Sequence, residues 1–91
     1  MNMSPRPQPL TGRFETETVR YLVGDLGLHI LLLIDQGCTS DAEIMKFSTV
    51  TATCLDVKIP LLKTLGLVRE SSSGYEVTSE GLQVLREIYG W

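Results

Sequence analysis

A single histidine, His29, stands in this 91-residue chain, between Leu28 and Ile30 in an apolar run. A serine or cysteine nucleophile needs a base held beside it, and a lone imidazole in such a setting packs or hydrogen-bonds rather than catalyses. The two cysteines, Cys38 and Cys54, are too few for a disulfide framework and lack zinc-ligand partners at ligand spacing. There is no glycine-rich phosphate loop, and the acidic residues are scattered singly. The sequence therefore predicts no catalysis, no metal centre and no cofactor. Positive charge is also scarce: 8 Lys and Arg against 11 Asp and Glu leave a net charge of −3, the wrong sign for holding nucleic acid by bulk charge. Long hydrophobic runs are missing too. The stretch Leu28 to Ile34 is too short to cross a bilayer, and the N-terminus lacks a basic segment followed by an apolar one. A cytoplasmic location is the expectation.

What is present divides into an N-terminal arm, residues 1–13, and one domain, residues 14–91. The arm carries Pro5, Pro7 and Pro9 with little to bury and reads as flexible. A first helix is expected to start between Thr16 and Thr18 and run to Gln36. Val19, Leu22, Val23, Leu26, Ile30, Leu33 and Ile34 recur on one face and form its core side. Tyr21, Leu28 and Leu32 make a second stripe opposite, with Leu31 at its edge. Gly24 and Gly27 weaken the helix and are positions at which it could split, leaving Asp25 to start the second part. Ser40-Asp41-Ala42-Glu43 is a capping box that opens a short second helix, with Ala42, Ile44 and Phe47 or Met45 inward. Ser48 to Val50 makes a turn, and Thr49 or Thr51 caps a third helix.

That third helix is the centre of the chain. Leu55, Ile59, Leu62 and Leu65 recur at helical spacing, and Gly66 follows where a left-handed cap ends a helix. Pro60 inside it predicts a kink or a late start. Leu67 to Glu70 and Tyr75 to Val77 read as a hairpin around Ser71 to Gly74. Thr78 caps a last helix, with Leu82, Leu85 and Tyr89 inward and Val84, Ile88 and Trp91 opposite.

The run L-K-T-L-G-L-V-R-E, followed by G-Y-E-V-T-S-E-G-L, resembles the winged helix-turn-helix regulators of bacteria and archaea: the MarR, ArsR, PadR and archaeal repressor groups. The resemblance covers roughly Gly27 to Ile88. It implies a mainly α fold with a three-helix core, a two-stranded β wing and a C-terminal helix. It also implies double-stranded DNA as a partner, with the third helix in the major groove, and a role in transcription regulation. The positions this assigns to DNA are Thr53, Val57, Lys58, Lys63, Lys46 and Arg69, with Arg13 from the arm.

The residues themselves argue for weak, largely electrostatic DNA contacts. Between Ser48 and Gly66 there is no Arg, Asn or Gln to make bidentate contacts with base edges. The alternative reading is a protein-interaction module that uses Val57, Pro60 and Leu61 on the outer face of the third helix. Two-faced first and last helices further predict a homodimer, with Tyr21, Leu28, Leu32, Val84, Ile88 and Trp91 at its interface.

Overall fold

The computed structural model describes residues 15–90 of the chain. The expected arm, with Arg13, and the terminal Trp91 lie outside the described residues. The elements run α1 (Thr16–Asp35), α2 (Asp41–Phe47), α3 (Ala52–Thr64), β1 (Val68–Ser71), β2 (Gly74–Val77) and α4 (Ser79–Tyr89). The two strands pair antiparallel, Val68 opposite Val77 and Ser71 opposite Gly74. This is a winged helix-turn-helix architecture.

α1 is broken. Gly24 has φ +72° and ψ 175°, a combination closed to side-chain-bearing residues, so two helical segments meet there. The break folds Val23 over the next turn so tightly that a Cβ on Gly27 would lie 2.8 Å from the Val23 Cβ. It also changes which residues face the domain. Leu28 and Leu31, expected outward, are 3% and 0% exposed and belong to the core. Leu22 and Leu26, expected inward, are exposed. A stripe drawn through an unbroken helix carries one phase from end to end, and Gly24 resets it. Leu32, also expected outward, is half-buried and packs against the core.

α4 is likewise rotated from expectation. A Cβ at Gly81 would sit 2.4 Å from the Leu67 carbonyl oxygen and 2.6 Å from Val77 Cγ1. The helix backbone therefore lies directly on the strands along its Gly81 side. Val84 and Leu85, three and four residues on, are buried with it, and Ile88 packs on the same side. Val84 and Ile88 are thus core-facing rather than outward, and Tyr89 is exposed rather than inward.

The caps follow local chemistry. Gly66 and Leu67 donate to the carbonyls of Lys63 and Leu62 at 3.0 and 2.9 Å, which closes the end of α3 and puts Leu67 into the core beside Leu62. Gly37 and Cys38 close α1 in the same way on Ile34 and Leu33. Thr78 then joins three elements. Its hydroxyl donates to the Gly66 carbonyl at 2.6 Å and accepts from the Gly81 amide at 3.0 Å, while its own amide donates to the Leu67 carbonyl. The core these elements enclose includes Val19, Val23, Ile30, Ile44, Leu55, Leu62 and Leu85, with no buried polar or charged side chain among the described residues.

Candidate nucleic-acid interface

The helix-turn-helix is built from its caps. Ser40 Oγ accepts from the Glu43 amide at 3.2 Å and opens α2. The Glu43 carboxylate reaches one residue further back than a capping box requires, to the amide and hydroxyl of Thr39 at 2.7 and 3.0 Å. Those two bonds hold the Glu43 carboxyl below its ordinary pKa. α2 touches the core through Ile44; Ala42, Met45 and Phe47 are exposed, contrary to the expectation of three inward residues. Ser48 Oγ accepts from the Val50 amide in the turn, Val50 is buried, and Thr51 rather than Thr49 caps α3 by accepting from the Cys54 amide at 3.1 Å.

α3 is continuous from Ala52 to Thr64, with Pro60 inside it. It neither starts late nor ends at the proline. Pro60 and Asp56 are exposed, and the proline leaves the Asp56 carbonyl without its helical donor. Leu55, Ile59 and Leu62 face in, as the spacing predicts. The outward face holds Thr53, Asp56, Val57, Pro60 and Thr64, and Val57 is 62% exposed. Leu61, expected beside Val57 on that face, is half-buried against the core.

The expected DNA cations have differing surroundings. Lys58 turns back into the domain: its Nζ donates to the Val23 carbonyl at 3.0 Å, at the break in α1. A cation there satisfies the terminal carbonyl of the first helical segment and the negative end of its dipole. That bond competes with the DNA contact expected of Lys58. Lys63 pairs with Glu70 at 2.6 Å and lies over the Tyr75 ring, 5.7 Å from its centroid. Arg69 pairs with Glu76, directly opposite on β2, at 2.9 Å. Lys46 is exposed, 5.9 Å from the centroid of the Phe47 ring, and its charge helps to lower the Glu43 carboxyl. Exposed ion pairs of this kind are worth less than about 1 kcal/mol each, so Lys63 and Arg69 remain exchangeable toward a phosphate.

The wing is fastened to the start of α2. The Tyr75 amide donates to the Thr39 carbonyl at 2.9 Å, and its hydroxyl donates to Asp41 Oδ1 at 2.6 Å. Burial first, then the Asp41 bond and the charges of Asp41, Glu70 and Asp56, drive the phenol pKa far above its ordinary value. Three carboxylates therefore act on one small region between α2, α3 and the wing. Sequence reasoning missed this cluster, because the residues are far apart in the chain and meet only through the hairpin. Ser71 closes the wing turn, its hydroxyl donating to Glu76 Oε2 at 2.9 Å and accepting from the Ser73 amide.

Among the described residues, no group of three or more His, Cys, Asp or Glu is placed to hold a metal ion, and no helix is long and apolar enough to cross a membrane. A family model described as winged helix-turn-helix matches residues 25–90. No curated protein and no solved structure matches the chain.

Proposed function

The chain belongs to the winged helix-turn-helix family, and on that premise we propose that it binds double-stranded DNA, without catalysis, as a small transcriptional regulator of the cytoplasm. The observation that carries this reading is the outer face of α3. It stands open to solvent next to the wing, with Lys63 on its own helix, Arg69 on β1 and Lys46 exposed on α2. Thr53 and Thr64 supply hydroxyls for base or phosphate contact, and Val57 an apolar contact for a thymine methyl.

The binding is weak and mostly electrostatic. Each neutralised phosphate contributes about −0.9 to the slope of log affinity against log salt. Three available cations then set a slope of about −3 per domain, and the carboxylates around Tyr75 oppose it. A salt titration with mixed-sequence duplex tests the proposal. Lys46→Ala with Arg69→Ala should flatten the slope by about two and weaken all sequences alike. A loss confined to one sequence, with the slope unchanged, would contradict it.

One observation favours a second reading. Met45, Phe47 and Val57 expose apolar surface on the same helix pair, and Lys63 and Arg69 are held by carboxylates. A protein partner would suit such a surface. Absence of any salt-dependent DNA binding at low ionic strength would leave this as the working function.

A further inference from the structure

The antiparallel register divides the wing into two faces. Successive residues of a strand point to opposite sides. Val68 and Glu70 of β1 therefore share one face with Tyr75 and Val77 of β2, and Arg69 and Ser71 share the other with Glu76. Val68 is buried, which makes its face the one turned to the domain. There Glu70 meets Lys63 of α3 at 2.6 Å. On the other face one Glu76 carboxylate oxygen accepts from Arg69 Nε at 2.9 Å, and the second accepts from the Ser71 hydroxyl at 2.9 Å. Lys63 and Arg69 thus each have a hairpin carboxylate against them. Lys63, Arg69 and Glu70 are exposed and Glu76 is half-buried, so solvent reaches both pairs.

We propose that Glu70 and Glu76 are guards, which occupy Lys63 and Arg69 as a DNA phosphate would and so hold down the affinity of the chain for duplex DNA. The proposal rests on the reading of α3 and the wing as a DNA interface. A carboxylate and a phosphate offer an ammonium or a guanidinium the same kind of charge-assisted hydrogen bond. A phosphate therefore reaches either cation only by displacing its glutamate. The displaced carboxylate then stands close to the phosphate and repels it, a cost that persists in water for charges about 4 Å apart. The wing does not depend on these pairs for its position. The Tyr75 amide and hydroxyl tie β2 to Thr39 and Asp41, so Glu70 can release Lys63 without freeing the hairpin. The Ser71 hydroxyl, in turn, keeps the Glu76 carboxylate aimed along its own face of the hairpin, where Arg69 lies.

The test is fluorescence anisotropy of a labelled mixed-sequence duplex titrated with the full chain at low ionic strength. Glu70→Gln and Glu76→Gln should each tighten binding about three- to tenfold, and the two together about tenfold or more. Two further variants separate a guard from a change in net charge. Glu70→Gln with Thr18→Glu, which adds a carboxylate in the first turn of α1, restores the net charge of −3 and should keep the gain. Glu70→Gln in a Lys63→Met chain should gain less, because no cation is released there. Circular dichroism checks that each variant is folded. Duplex binding that both single variants leave within about twofold would overturn the guard and leave the DNA reading standing. So would a gain that Thr18→Glu cancels. No salt-dependent binding by either the unmodified chain or the double glutamine variant would instead overturn the DNA reading itself, and the guard with it.

Discussion

Replacing Lys58 with methionine keeps most of the side-chain stem that lies beside Gly27 and removes the ammonium that donates to the Val23 carbonyl. A hydrogen bond from a charged donor is worth about 1.5–3 kcal/mol. Lys58 is half-exposed, so water recovers part of that loss, and we expect a destabilisation of about 1–2 kcal/mol. For a domain of this size that lowers the melting temperature by about 5–15 °C. Urea or thermal unfolding followed by circular dichroism measures it. The same variant, held well below its melting point, should bind duplex DNA with an unchanged salt slope, because the ammonium is directed into the fold. If Lys58→Met leaves stability untouched and flattens the slope by about one, the ammonium serves a phosphate and the account of the α1 break is wrong.

Tyr75→Phe removes the bond to Asp41 and should cost about 0.5–1.5 kcal/mol, with amide exchange in β1 and β2 rising more than in α1. Gly81→Ala should cost about 2–3 kcal/mol, because the new methyl strikes the Leu67 backbone; an unchanged melting temperature would refute the tight packing of α4 on the strands. Glu43, Glu76 and Glu87 all titrate below the ordinary carboxylate value of 4.5 when folded, through bonds from Thr39, from Arg69 and Ser71, and from Thr16 and Gln83 respectively. A lowered folded pKa gives stability that is present above the unfolded value and lost as pH falls through the folded one. Unfolding measured from neutral pH downward should therefore show a decline setting in near the ordinary carboxylate range, and Glu43→Gln should shrink it. Tyr75 has the opposite sign, its folded pKa being raised. Its contribution is complete below the ordinary value of 10.0 and fades above it, and the phenolate absorbance lost in Tyr75→Phe, taken as the difference between the two folded chains, should rise only beyond that point.

Local chemistry in the sequence determined the order of elements, the ends of the helices and the inner face of α3. Ser40, Thr51 and Thr78 cap where hydroxyls next to helical periodicity predict, and Gly66 ends α3 because a left-handed residue lets two amides reach back to its last turn. Those signals act within a few residues, so they survive whatever the chain does elsewhere. Helix phase is not local in that sense. The sequence marked Gly24 as a weak point, but only the packing of α1 against α4, α3 and β2 decides that Leu28 and Leu31 go inside while Leu22 stays out. Gly81 likewise turns α4 by letting its backbone rest on Leu67. The candidate interface was legible as a set of exposed positions on α3. Which cations it keeps was not. Lys58 faces Val23 across 35 residues of chain, and Lys63 and Arg69 meet Glu70 and Glu76 only because the hairpin brings them there. A charge's availability depends on what folds up beside it, and the tertiary structure alone decides that.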